Sequence, residues 1–194
     1  MWNRLRVGVT ATVLVAASVA GCSTTPVSAA TPIEAAERLC PLMWDWVKAV
    51  GDSFNGAASD VATIDEPEDR RRRWSEALVE VEALNQQLLT DLEPLNEDPI
   101  LAPLVAEIRR DMRLAAVELD DIRQLLVDSP QVDQERHQVR TSQIIVRIEK
   151  VIDLPKPDLG PHDTDGTLLE AFRTVPSCQH AIRGVNDGGA RANG

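Results

Sequence analysis

Ten apolar positions in one stretch of this chain are separated by three and four residues in strict alternation: Ile33, Ala36, Cys40, Met43, Val47, Val50, Phe54, Ala57, Val61 and Ile64. Such spacing lays a stripe along one face of an α-helix and cannot be read by a strand, whose faces alternate every second residue. Thr31-Pro32-Ile33-Glu34 supplies a start for it, a capping box with proline in the first turn. Pro41, Gly51 and Gly56 weaken the helix, so its face is defined while its continuity is left open.

Three further stripes follow. Asp65-Glu66-Pro67-Glu68 repeats the start chemistry and opens a helix with Trp74, Leu78, Val81, Leu84, Leu88, Leu92 and Leu95 on one face. Pro94 and Asn96-Glu97-Asp98-Pro99 end it and begin a third helix with Leu101, Val105, Ile108, Met112, Ala115, Leu119, Ile122 and Leu126. Asp128-Ser129-Pro130 reads as a turn that caps a fourth helix carrying Val139, Ile144, Ile145, Ile148, Val151 and Ile152. A Pro-, Asp- and Gly-rich loop from Leu154 to Gly166 precedes a short fifth helix with Phe172 and Val175, interrupted at Pro176 and continued by Cys178, Ile182 and Val185. No alternating strand pattern and no internal repeat occurs. The expected fold is all-α: an antiparallel up-and-down four-helix bundle with a short fifth C-terminal helix tied by one disulfide.

The first thirty residues have a different character. Met1 to Arg6 carries two arginines and no acid, and Val7 to Ala20 is a run of small and apolar residues too short to span a bilayer as a permanent helix. The run closes on Val19-Ala20-Gly21-Cys22, which resembles the lipobox of bacterial lipoproteins. The resemblance covers residues 1–22. It implies that the Cys22 thiol carries a diacylglyceryl group with palmitate-type chains, and that cleavage leaves Cys22 as the first residue. An ordinary signal, cut near Ala29-Ala30, is the alternative. Two or more acyl chains hold a protein firmly on a membrane where one does not. The expected organisation is a lipoprotein signal peptide over 1–21, the lipidated cysteine and a flexible tether over 22–31, a helical domain over 32–185 and a disordered tail over 186–194. The expected location is the cell membrane, anchored by lipid and facing the extracytoplasmic side.

Cysteine arithmetic follows from that location. With Cys22 lipidated, Cys40 and Cys178 remain, and two thiols in an exported domain most simply form a disulfide. The rival, a metal held by Cys40, Cys178 and His180, lacks a fourth ligand at a recognisable spacing. The 31 acidic residues outnumber the 20 basic ones, which disfavours nucleic acid and anionic lipid as general partners. Of the basic residues 17 are arginine, which with abundant Ala, Val and Asp suits a high-GC genome such as an actinobacterium's. The absence of tyrosine argues against an aromatic cage.

Asp163-Thr164-Asp165-Gly166-Thr167 resembles the nucleophile signature of haloacid-dehalogenase-type phosphatases. In that family the motif ends a buried strand and opens a doubly wound fold. Here Pro155-Lys156-Pro157 precedes it and too little chain follows, so the resemblance implies no activity. His162, Asp163 and Asp165 are the candidate ligands for an ion, but the calcium-loop register fails, placing Pro161 first and Phe172 last. No metal and no cofactor is assigned, and no catalytic residue. The run Arg70-Arg71-Arg72-Arg73 is expected to be neutralised by Glu66, Glu68 and Asp69, each four residues before an arginine. Trp74 beside it is expected in the core, and of Trp44 and Trp46, two apart, only one can face inward. The functional expectation is a non-enzymatic interaction or scaffold module with an envelope protein as partner. Alternatives are a carrier of a lipid or other apolar ligand in the bundle core, with Ala57, Ala77 and Ala115 as its lining, and an enzyme with a site built across helices.

Overall fold

The computed structural model describes residues 31–127, 134–183 and 185. The signal segment, Cys22, most of the tether, the Asp128-Ser129-Pro130 turn and the tail from Asn186 lie outside them. The described residues form six α-helices and two short 3-10 segments, with no strand: α1 (Pro32–Val61), α2 (Pro67–Asp91), α3 (Leu101–Val127), α4 (Gln134–Asp153), α5 (Thr167–Thr174) and α6 (Cys178–Ala181). The 3-10 segments are Glu93–Glu97 and Gly160–His162. An isolated parallel bridge joins Asp158 to Arg183.

α1 starts as its sequence dictates. The Thr31 hydroxyl accepts from the Glu34 backbone N–H at 3.3 Å, and the Glu34 carboxylate accepts from the Thr31 N–H at 2.7 Å. That backbone bond, with the Thr31 hydroxyl's bond to the same carboxylate, holds the Glu34 carboxyl below its ordinary range. Pro41 sits within the continuous helix. Its missing N–H deprives the Glu37 carbonyl of a helical donor, and both residues are exposed, so water can serve that carbonyl. The buried face is wider than the simple stripe, adding Ala35, Leu39, Trp46 and Ser53. Ile33 is 49% exposed, Val47 is half-buried, and the helix ends at Val61, before Ile64.

α2 begins at Pro67 with Glu66 as its N-cap, but no side chain caps it. The acid pair expected to make a capping box is out of register by one residue. Asn85 rather than Leu84 turns inward, and Trp74 is buried. The arginine run is neutralised with different pairings from those expected: Arg71 to Glu68, Arg72 to Asp69 at 2.8 Å and to Glu76 at 3.8 Å, and Arg73 across to Asp60 at 2.7 Å. The Arg70 Nε donates to the Ile64 carbonyl at 2.5 Å. In α3 all eight expected positions are buried. In α4 Ile144, Ile148 and Val151 are buried while Val139, Ile145 and Val146 are exposed.

Polar pairs fix how the helices lie. Trp46 on α1 donates from its indole Nε1 to the Asn85 Oδ1 at 3.0 Å, Ser53 donates to Glu80 at 2.8 Å, and Asp60 receives Arg73. The partners rise along α1 as they fall along α2, so these two run antiparallel. Arg147 on α4 bonds both Glu118 and Asp121 of α3 at 2.6 Å, and Lys150 reaches Glu118 at 3.3 Å. Asp98 accepts from the Ile100 and Leu101 N–H groups at the start of α3 and receives Arg38 of α1 at 2.7 Å. One continuous core fills the space between the helices, with Trp74, Phe54, Phe172, Met43 and Ile108 among its fully buried members. None of the described helices is long and apolar enough to cross a membrane.

The fifth helix of the sequence reading is two helices, α5 and α6, split by Pro176. Both pack on α1. Cys40 of α1 and Cys178 of α6 form the disulfide, with Cα atoms 4.8 Å apart and 138 residues of separation. Both cysteines are fully buried.

Candidate interaction groove

The disulfide sets a register between α1 and α6 that creates the surface of most interest. Trp44 follows Cys40 by one helical turn, and His180 follows Cys178 by two residues. The bond therefore brings the two rings together, with centroids 5.1 Å apart and planes tilted by 37°. Trp44 is half-buried, while Trp46 is the tryptophan taken into the core. His180 is thus a ring neighbour of Trp44, and its cysteine neighbours are bonded to each other.

Trp44 and Val47 form one wall of a groove of about 890 Å³, Val146 and Leu154 a second, and Ile182 a third. Lys150, Lys156 and Arg183 line it with two acids, Glu149 and Asp153. Three cations against two acids is the reverse of the balance of the whole chain. The chain has only three lysines, and the remaining one, Lys48, follows Val47 directly. Lys150 and Lys156 are held by Glu118 and by Asp153.

Arg183 secures the groove's far side. Its backbone N–H donates to the Pro157 carbonyl at 3.0 Å, its Nε to the Lys156 carbonyl at 2.5 Å, and its Nη2 to the Leu154 carbonyl at 3.3 Å. The same Nη2 reaches Asp111 of α3 at 3.2 Å. Asp111 is 4% exposed and also receives the Arg110 Nε at 2.8 Å, which raises the Arg110 guanidinium above its ordinary pKa. One turn earlier on α3, Glu107 accepts from the Asp158 N–H at 3.2 Å and meets the His162 Nε2 at 3.1 Å. The loop from Leu154 is therefore a built part of the fold, with Pro155, Pro157 and Leu159 buried. Sequence reading missed Glu107, Asp111 and Arg183. The available signal was Asp111, an acid interrupting the apolar face of α3 beside Met112.

The candidate ion ligands face different tasks. His162 turns to Glu107. Asp163 accepts from the Leu168 and Leu169 N–H groups of α5 at 3.2 and 2.8 Å. Asp165 accepts from the Thr167 hydroxyl at 2.6 Å and its N–H at 3.1 Å, and these bonds hold its carboxyl below the ordinary value. Gly166 adopts a φ of 81°, which favours glycine, and closes the turn. The two aspartates cap a helix, a role worth about 1 kcal/mol for a single residue. Among the described residues no three His, Cys, Asp or Glu side chains gather as a ligand set. The dehalogenase-like motif lies in this capping loop, and no strand precedes it. No protein-family model matches the chain, and neither a curated protein nor a solved structure matches it.

Proposed function

We propose that this chain is a lipid-anchored, extracytoplasmic protein of the bacterial envelope whose folded part, over 32–185, is a non-enzymatic interaction module. In this reading α1–α4 form an up-and-down antiparallel four-helix bundle, and α5 and α6 are tied to it by the disulfide. The opposed directions of α1 and α2, and the α3–α4 ion pairs, support that topology. The observation that carries the functional reading is the half-buried Trp44–His180 pair on an apolar groove with a cationic rim, beside a filled core. Aromatic anchors next to apolar floor are what protein partners seat on. The groove is the proposed seat of an envelope protein.

A carrier that opens its core draws less support. Ala57, Ala77 and Ala115 are all fully buried within the continuous core. An enzyme built across helices draws less as well, since the buried acids Asp98 and Asp111 each hold an arginine.

The test compares neighbours labelled by a proximity enzyme fused to the wild-type protein and to Trp44→Ala. Trp44 is half-buried and removed from the core, so the variant is expected to keep its thermal midpoint and membrane level. A discrete set of envelope proteins labelled by the wild type is expected to fall about tenfold, the loss of one anchor of about 1.4 kcal/mol. Equal labelling of the same proteins by both forms would overturn the assignment of the groove.

A further inference from the structure

A second groove lies between α2 and α3 and shares no lining residue with the first. It also measures about 890 Å³ and follows α2 from Glu82 to Glu93, about 16 Å of helix. Two donors on its walls have no protein acceptor among the described residues. Asn85 is 7% exposed. The Trp46 indole N–H can only donate, so Asn85 must offer it the carbonyl oxygen. Its NH2 is then left over, and Asn85 lines the groove. On the facing helix, Arg109 makes no hydrogen bond or ion pair to a described residue, and its Nε is buried without a partner. Unanswered donors at buried positions are costly and are rare in native folds unless something else meets them.

The rest of the lining says what that something is. Leu89, Met112, Ala116 and Leu119 make the walls apolar. Two of the rim acids, Glu82 and Asp120, are both held by Arg123. Glu93 and Arg113 balance in charge. One guanidinium therefore remains for one negative charge, next to an amide NH2 for a second acceptor oxygen, with apolar surface beyond. We propose that this groove binds a monocarboxylic acid with an unbranched apolar tail, its carboxylate accepting from Arg109 and Asn85 and its tail lying along Leu89, Met112 and Leu119. A phosphate monoester fits less well, because its second charge would have no cation and would meet Glu93. This site is independent of the proposed partner groove.

The experiment titrates the full chain carrying Cys22→Ser, a change that removes any anchor lipid from competition, with dodecanoate and with dodecanol. Heat of binding and the side-chain amide resonances of Asn85 are followed. Dodecanoate is expected to bind saturably, one per chain, and to shift the Asn85 amide signals. Dodecanol is expected to bind about tenfold more weakly or less, as loss of a charge-assisted bond requires. Arg109→Met, which keeps the packing of the stem, is expected to weaken dodecanoate by a similar factor while leaving dodecanol unchanged. Absence of saturable dodecanoate binding, equal affinity for acid and alcohol, or shifts confined to the Trp44 groove would each overturn the proposal. The acid–alcohol comparison on the otherwise unaltered chain decides the matter even if Arg109→Met fails to fold.

Discussion

Replacing Cys40 and Cys178 together with alanine is expected to lower the free energy of unfolding by about 5 kcal/mol in the chain-entropy treatment, toward the upper end for a single disulfide. The size comes from the 138-residue separation, which makes the closed loop long. It also comes from what the bond holds. α5 and α6 have 8 and 4 residues, lengths at which helices are not stable alone in water. Alanine is the right replacement because both positions are fully buried, and a hydroxyl there would add an unpaired polar group. Guanidinium denaturation of the oxidised protein and the double variant gives the difference directly. The C-terminal segment after Leu154 should become the first site of limited proteolysis, and the Trp44–His180 contact should be lost with it. An unchanged midpoint would mean that α5 and α6 stay on α1 through their apolar faces alone.

Ile108→Asp is expected to unfold the domain. Ile108 lies fully buried at the middle of the α3 stripe, and no cation stands ready for a carboxylate there. The nearest acids on α3, Glu107 and Asp111, already share Arg110 and Arg183, so a third charge would be unpaired. An unpaired buried charge costs several kcal/mol, comparable with the roughly 5–15 kcal/mol that holds a domain of this size together. Val117→Asp is the matched control on the same helix. Val117 is 58% exposed, so that change should move the thermal midpoint little. Far-UV circular dichroism should show helical signal lost for the first and kept for the second. Retention of both would place Ile108 at a surface and contradict the packing of α3.

The helices were legible because their apolar spacing was long and regular. In α3 the stripe from Leu101 to Leu126 is the buried face without exception. In α1 the same reading lost its ends. Strict three-four alternation has a period of 3.5, while an α-helix turns every 3.6 residues, so a straight helix drifts about 20° per heptad from such a stripe. Ile33 is on the solvent side as a result, and Trp46 replaces Val47. The disulfide was legible from the count of cysteines and the expected compartment. The polar interior was not, because Trp46 and Asn85, Arg38 and Asp98, and Asp111 and Arg183 are separated by 39, 60 and 72 residues. Only the fold brings them together. The grooves were hidden for the same reason: Trp44, Val146 and Ile182 come from three elements, and each reads in sequence as an ordinary apolar residue. The Asp163–Thr167 loop was legible as a helix start, since Asp-x-Asp-Gly before an apolar pair is capping chemistry.

The most direct measurement for a lipid-anchored module is the mass of the N-terminal peptide of the protein extracted from membranes, set beside fractionation of Cys22→Ser. The expected peptide begins at Cys22 and carries a diacylglyceryl thioether, and the serine variant is released from membranes or left as uncleaved precursor. A mature chain beginning near Ala30, or an unmodified Cys22 with membrane retention unchanged in the serine variant, would contradict it.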